Sequence, residues 1–267
     1  MDWIQIIGLA LIQGLTEFLP ISSSGHLILP SQVLGWPDQG LAFDVAVHVG
    51  SLAAVLIYFR KDVWQLAYHW TAQVVRAEHD RQQSQLAWLV ILATLPAVVI
   101  GYALNEWVET HFRSALVIAL ATIGFGALLW WSDATAKLTQ NEFQLNWKTA
   151  LFIGFGQVFA LIPGTSRSGI TMTVGLMVGL TRKASARFSF LLSIPLILAA
   201  GLFKGLELYK MGMDAPWGDV IAGAVLSAIS AYACIHLFLN VIERIGFLPF
   251  VIYRFILGGI LLAIIFA

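Results

Sequence analysis

The sequence predicts an all-α polytopic membrane protein: six transmembrane helices plus two re-entrant helical hairpins, arranged as an inverted-topology repeat. Three observations carry this. Of the 267 residues 59% are hydrophobic and 11% charged, too few charges to cover a soluble domain of that size. Six nearly uncharged runs reach the roughly 17 to 25 residues that a bilayer crossing needs. Two further stretches, 1–35 and 148–180, each consist of two short apolar arms around a polar centre.

Taken in order, residues 1–35 form the first hairpin. The opening MDWIQIIGLALIQGLTEFLP has no basic leader and no small-residue cleavage site after it, so it reads as mature protein. Spans follow at about 41–59, 86–104 and 114–131, all rich in Leu, Ile, Val and Ala. Residues 148–180 form the second hairpin, followed by spans at about 187–203, 220–240 and 247–267. Neither arm of either hairpin comfortably crosses a bilayer. Non-helical backbone at membrane depth is tolerated only against protein or a wet cavity, so both hairpins are expected to enter and leave on one side.

The chain thus reads as one membrane domain of two repeats, about 1–131 and 148–267. Gln13 and Gly25 recur as Gln157 and Gly169, 144 residues later, and Pro20 and Ser23 as Pro163 and Ser166 after a one-residue slip. Three spans per half is an odd number, so the second half is inverted. Such repeats place their broken helices near the bilayer midplane, where sites form.

Lys and Arg orient the chain. Ten of the fifteen collect on one side, from Arg60 and Lys61 to Arg244, against Arg113, Lys204 and Lys210 on the other; Arg167 and Arg254 lie at membrane depth. The rich side is the cytoplasm by the positive-inside rule. Both termini are then outside, the first hairpin enters from outside and the second from the cytoplasm. Zero net charge points away from nucleic acid, and the single Cys234 cannot form an intramolecular disulfide.

Chemistry concentrates in the two polar turns. In the first, Gln13 and Glu17 share a helix face, Pro20 ends or kinks that helix, and Ser22, Ser23, Ser24, Gly25 and His26 follow. In the second, Pro163, Gly164, Thr165, Ser166, Arg167, Ser168, Gly169 and Thr171 open a helix over 170–180, whose N-terminus is an anion site. Arg167 offers a planar fork of donors suited to phosphate oxygens, and its natural partners are Glu17 or a bound anion. Together the turns hold a nucleophile, acid/base groups and an oxyanion clamp, a set suited to displacement at phosphorus. Ser22, Ser24 and Thr165 read equally well as groups that bond backbone or glue helices. Asp44 and His48 share a helix face, and Asp44 could hold a cation or pair with Arg254.

At these motifs the sequence resembles the bacterial undecaprenyl-diphosphate phosphatase family of the bacitracin-resistance type. Gln13-x-x-x-Glu17 running into Phe-Leu-Pro-Ile-Ser-Ser-Ser-Gly-His matches the first family motif. Pro163 to Thr171 matches the second, Pro-Gly-x-Ser-Arg-Ser-x-x-Thr, at every fixed position. The resemblance implies removal of the terminal phosphate of undecaprenyl diphosphate, giving the lipid carrier of envelope polymers. It implies Ser23 as nucleophile, Glu17 and His26 as acid/base or metal-coordinating groups, and Arg167 as diphosphate clamp, lined by Ser166, Ser168, Gly169 and Thr171. It further implies a divalent cation, Mg²⁺ or Ca²⁺, at Glu17 and Gln13. Gln13 stands where many members carry Glu, and offers a metal only a neutral oxygen. The implied setting is a bacterial inner membrane; the entry of the first hairpin from outside points to a site that opens to the periplasmic side. The expected partners are the polyprenyl diphosphate and membrane lipids, with a homodimer as a further candidate. The competing reading is a lipid-phosphate flippase or anion transporter on the same inverted repeat.

Overall fold

The computed structural model describes residues 1–33, 35–112, 114–210 and 216–266; the side chains of residues 32, 33, 105, 106, 109, 207, 208 and 210 are left out. Arg113 and the Lys210 side chain, used above for orientation, and Ala267 of the last span lie outside the described residues. Among those residues there are eleven α-helices and two short 3-10 turns.

The first turn lies between α1 (Trp3–Phe18) and α2 (Ser23–Val33). Asp2 caps α1 in a box with Gln5, and the helix stops at Leu19 because a residue before proline is driven to extended backbone, here φ −76°, ψ 147°. At 16 residues α1 is about 24 Å long, short of the roughly 30 Å hydrocarbon core. α3 (Gly40–Tyr58) matches the first expected span. α4 (Arg60–Val74) was not expected. It carries Arg60, Lys61 and Asp62 and no long apolar run, so hydropathy gives no sign of it.

α5 (Arg81–His111) and α6 (Ala115–Thr135) are capped by Asp80 and Ser114. The second turn lies between α7 (Trp147–Val158), capped by Asn146, and α8 (Arg167–Met177). The sequence places this last helix at 170–180. It begins three residues earlier because Ser166 is its N-cap, accepting from Gly169 N, and ends earlier because Gly179 turns at φ +97°. α9 (Arg182–Lys210), α10 (Trp217–Ile245) and α11 (Leu248–Phe266) complete the chain. Six helices, α3, α5, α6, α9, α10 and α11, are long and apolar enough to cross a membrane, in register with the six expected spans.

α1 packs on α10, α3 on α10 and α9, α5 on α7, α6 on α11, and α8 on α9. Small residues bring backbones close, as membrane packing requires. A Cβ on Gly50 would stand 2.1 Å from Ala224 O, and one on Gly154 2.5 Å from Ala93 O. Ser51 and Ser227 exchange a hydroxyl bond of 3.1 Å between α3 and α10. Buried phenylalanines fill the centre, with Phe18 edge-on to Phe190 at 5.2 Å between centroids. Ile4, Leu95, Leu202, Ile229, Leu237 and Ile260 point outward, as lipid-facing residues do. Arg187 reaches Asp62 at 2.6 Å and Glu142 at 2.7 Å, which docks the polar α4 onto α9 and the 3-10 turn Glu142–Gln144.

Candidate active site

The two turns meet. Arg167 Nη2 donates to Glu17 Oε1 at 2.9 Å across 150 residues of sequence, and its Nη1 donates to Ser189 O at 3.1 Å. The other carboxylate oxygen, Oε2, accepts the Ser23 hydroxyl at 2.7 Å and Gln13 Nε2 at 3.0 Å. A buried carboxylate is costly unless paired and hydrogen-bonded, and here both oxygens are satisfied. Ser23, at the first position of α2, is half-buried, and Glu17 is buried.

The two turns are built alike. Ser22 and Ser166 each precede a helix with φ in the left-handed region, 77° and 70°. Each hydroxyl accepts from the glycine N–H three residues on, Gly25 and Gly169, and sits 3.3 and 3.2 Å from the hydroxyl of the serine two residues on, Ser24 and Ser168. On this register Ser23 and Arg167 hold equivalent places, each the first residue of its helix. The strained serines set the direction of the side chain that follows them.

Of the second turn, Ser166 and Arg167 face the cavity. Ser168, Gly169 and Thr171 are buried around them. Ser168 donates to Leu19 O at 2.8 Å and so ties the second turn to the first. Thr171 donates to Arg167 O at 2.9 Å and contacts the Ser189 hydroxyl at 2.7 Å. Gly169 leaves room for Ser166 and Arg254, both 3.1 Å from where a Cβ would stand.

His26 is held elsewhere. Its Nδ1 lies 2.6 Å from Ser22 O, so that nitrogen carries the proton, and Nε2 accepts from Tyr253 O–H at 2.6 Å. The two rings stack at 5.5 Å. Neither nitrogen points to Ser23, and His26 is not part of the cavity lining. The histidine that does line it is His48, whose Nε2 is 3.9 Å from Glu17 Oε2. Sequence spacing offered His48 only as a neighbour of Asp44; packing of α3 against α1 brings it to the site.

Arg254, fully buried, takes carbonyls rather than the Asp44 carboxylate. It donates to Pro20 and Thr165, one in each turn, and to Ala121, Thr122 and Gly164, at 2.9 to 3.4 Å. Asp44 lines the cavity and accepts from Gln39 Nε2 at 2.9 Å. The last helix, which no site motif marks, thus supplies both Tyr253 and Arg254.

The cavity has a volume of about 360 Å³ and holds Glu17, Ser23, Arg167 and His48 in its wall. It shares Ala97, Leu161, Leu196, Ala200 and Lys204 with a second, mainly apolar cavity of about 330 Å³ between α5 and α9. The arrangement can activate a hydroxyl and neutralise an anion side by side.

Residues 6–260 match the bacitracin resistance protein BacA family. The chain is 60% identical over 262 residues to a protein of Hahella chejuensis named undecaprenyl-diphosphatase, covering 98% of each. It is 58% identical over all 267 residues to a protein of the same name from Alteromonas mediterranea, covering 100% of each. With its two turns joined through Glu17 and Arg167 and its whole length matched, the chain belongs to the BacA family.

Proposed function

We propose that this protein is an integral membrane phosphatase that hydrolyses undecaprenyl diphosphate to undecaprenyl phosphate and inorganic phosphate, returning the lipid carrier to cell-wall synthesis. The observation that carries the reading is the contiguous Ser23–Glu17–Arg167 chain, at 2.7 and 2.9 Å, in a cavity that shares part of its wall with an apolar one. The second cavity, with Val98, Tyr102, Ala199 and Phe203 in its wall, suits the first isoprene units, the rest of the chain lying in the bilayer.

In the reaction, Arg167 and the N-terminus of α8 hold the diphosphate oxygens. Ser23 Oγ attacks the terminal phosphorus while Glu17 takes its proton. The bond from that phosphorus to the bridging oxygen breaks, and the electron pair leaves with undecaprenyl phosphate. Water then attacks the phosphoserine, Glu17 assists, and inorganic phosphate leaves with the serine proton restored. Glu17 rather than His26 is the base in this scheme, because Glu17 already accepts the Ser23 hydroxyl.

The residues fit a divalent cation of the oxygen-binding kind. Mg²⁺ is commonly held by one or two carboxylates plus substrate phosphates. Glu17 and Gln13 Oε1, a buried oxygen without a partner, would hold it here. Bound, it would supply further charge neutralisation on the phosphoryl oxygens.

The same proposal includes the inverted repeat, with α1–α2 and α7–α8 as re-entrant hairpins, both termini outside and the site opening outward. The matching turns and the equivalent packing of α1 on α10 and α7 on α5 support it. The test is phosphate release from undecaprenyl diphosphate by protein purified in detergent, with and without EDTA. Retained lipid binding without hydrolysis would overturn the phosphatase reading in favour of transport.

A further inference from the structure

Gln157 lies near the end of α7, is 1% exposed, and lines the cavity that holds Ser23 and Arg167. Neither terminal atom of its amide has a hydrogen-bond partner. That holds whichever way the amide is turned, since both ends are bare. Gln13, its counterpart 144 residues earlier, donates Nε2 to Glu17, four residues on along the same helix face. In the second half the residue four positions on is Leu161, so Gln157 has no such carboxylate to hold.

Buried amides are hydrogen-bonded as a rule, and an exception in a cavity wall calls for a ligand. A side chain that only filled this space would be better as leucine, which leaves no polar atom unsatisfied. The cavity wall already contains the Arg167 guanidinium, Lys204 and three serine hydroxyls of the first turn, groups that favour an anion rich in acceptor oxygens; of its two carboxylates, Glu17 and Asp44, the first is paired with Arg167. An amide adds two neutral donors to that set.

We infer that Gln157 is a substrate-contact residue, its amide donating to a phosphoryl oxygen of the bound polyprenyl diphosphate. The inference rests on the phosphatase reading above. It adds a neutral donor from the second hairpin to the charged one, Arg167, so that the diphosphate is gripped by both ends of the α7–α8 turn. The carbonyl end of the same amide is left to accept from a water or from a protonated phosphate oxygen.

The test measures kcat/KM for phosphate release from undecaprenyl diphosphate, together with thermal stability, in detergent-purified parent, Gln157→Leu and Gln157→Glu. A parent that releases no phosphate ends the phosphatase reading itself, whatever residue 157 does. Given an active parent, each variant is expected to lose about 10- to 100-fold in kcat/KM, the range for a hydrogen bond to a charged group. The leucine variant should melt at or above the parent temperature. The glutamate variant, of equal volume, should lose at least as much activity by placing a carboxylate against the diphosphate, and it carries the test should the leucine variant fail to fold. A folded variant within twofold of the parent in kcat/KM overturns the inference. So does a loss of activity matched by a fall in melting temperature in both variants.

Discussion

Ser23 and Arg167 grip opposite oxygens of one carboxylate. The serine hydroxyl donates to Glu17 Oε2 at 2.7 Å and the guanidinium to Oε1 at 2.9 Å. Each is the first residue of its own helix, preceded by a serine at positive φ. Glu17 thus accepts the Ser23 hydroxyl and is the ion partner of Arg167; in the proposed reaction it would also take the Ser23 proton.

Removal of the proposed nucleophile is the sharpest test. Ser23→Ala is expected to lower kcat for phosphate release by at least about 10³-fold, as loss of a covalent nucleophile does elsewhere. Incubation of the parent with substrate followed by acid quench and peptide mass analysis should find phosphate on Ser23. A variant within tenfold of the parent would remove Ser23 from that role.

The proposed base can be told apart from its neighbour. Glu17→Gln should cost about 10² to 10⁴ in kcat, the usual reach of general base catalysis. His26→Asn keeps a donor near Nδ1 for Ser22 O and should stay within about tenfold of the parent. The opposite ranking, with the asparagine variant the more damaged, would return proton transfer to His26.

A cation held by Glu17 and Gln13 has its own signature. Gln13→Glu replaces a neutral oxygen with a charged one, so the Mg²⁺ concentration giving half-maximal rate after EDTA treatment should fall by about tenfold, close to 1.4 kcal/mol. Gln13→Leu should raise it. Identical titration curves for the three proteins would place the ion elsewhere.

Arg254 is expected to be a stability residue above all. Lysine can serve at most three of the five carbonyls, and Arg254→Lys should destabilise by about 2 to 4 kcal/mol, read from thermal or denaturant unfolding in detergent. An unchanged melting temperature would show that the two turns hold together without it.

Much of this was legible beforehand, for reasons that differ by element. Membrane spans announce themselves through hydropathy, so α3, α5, α6, α9, α10 and α11 fall where their apolar runs lie. The break after α1 follows from Pro20. The cost of a lone charge at membrane depth called for a partner to Arg167 and left Glu17 or a bound anion as the candidates; the structure has Glu17. What could not be read was direction. Whether His26 turns toward Ser23 or toward Tyr253 depends on the φ of Ser22 and on α11, which lies 227 residues away in sequence. His48 reaches the site only because α3 packs on α1. Polar α4 has no local signal strong enough to separate it from a loop, and it is fixed from outside by Arg187.

Arg254 reads only main chain. It touches Pro20, Ala121, Thr122, Gly164 and Thr165 through their carbonyl oxygens, which every amino acid has. Part of the hold on both turns is thus indifferent to which side chains they carry, and it adds to the Arg167–Glu17 pair and the Ser168–Leu19 bond. The two turns form a mount, and positions 23 and 167 are sockets in it. Ser23→Cys and Arg167→Lys are therefore expected to keep the frame that aims them, read as a melting temperature in detergent close to the parent's.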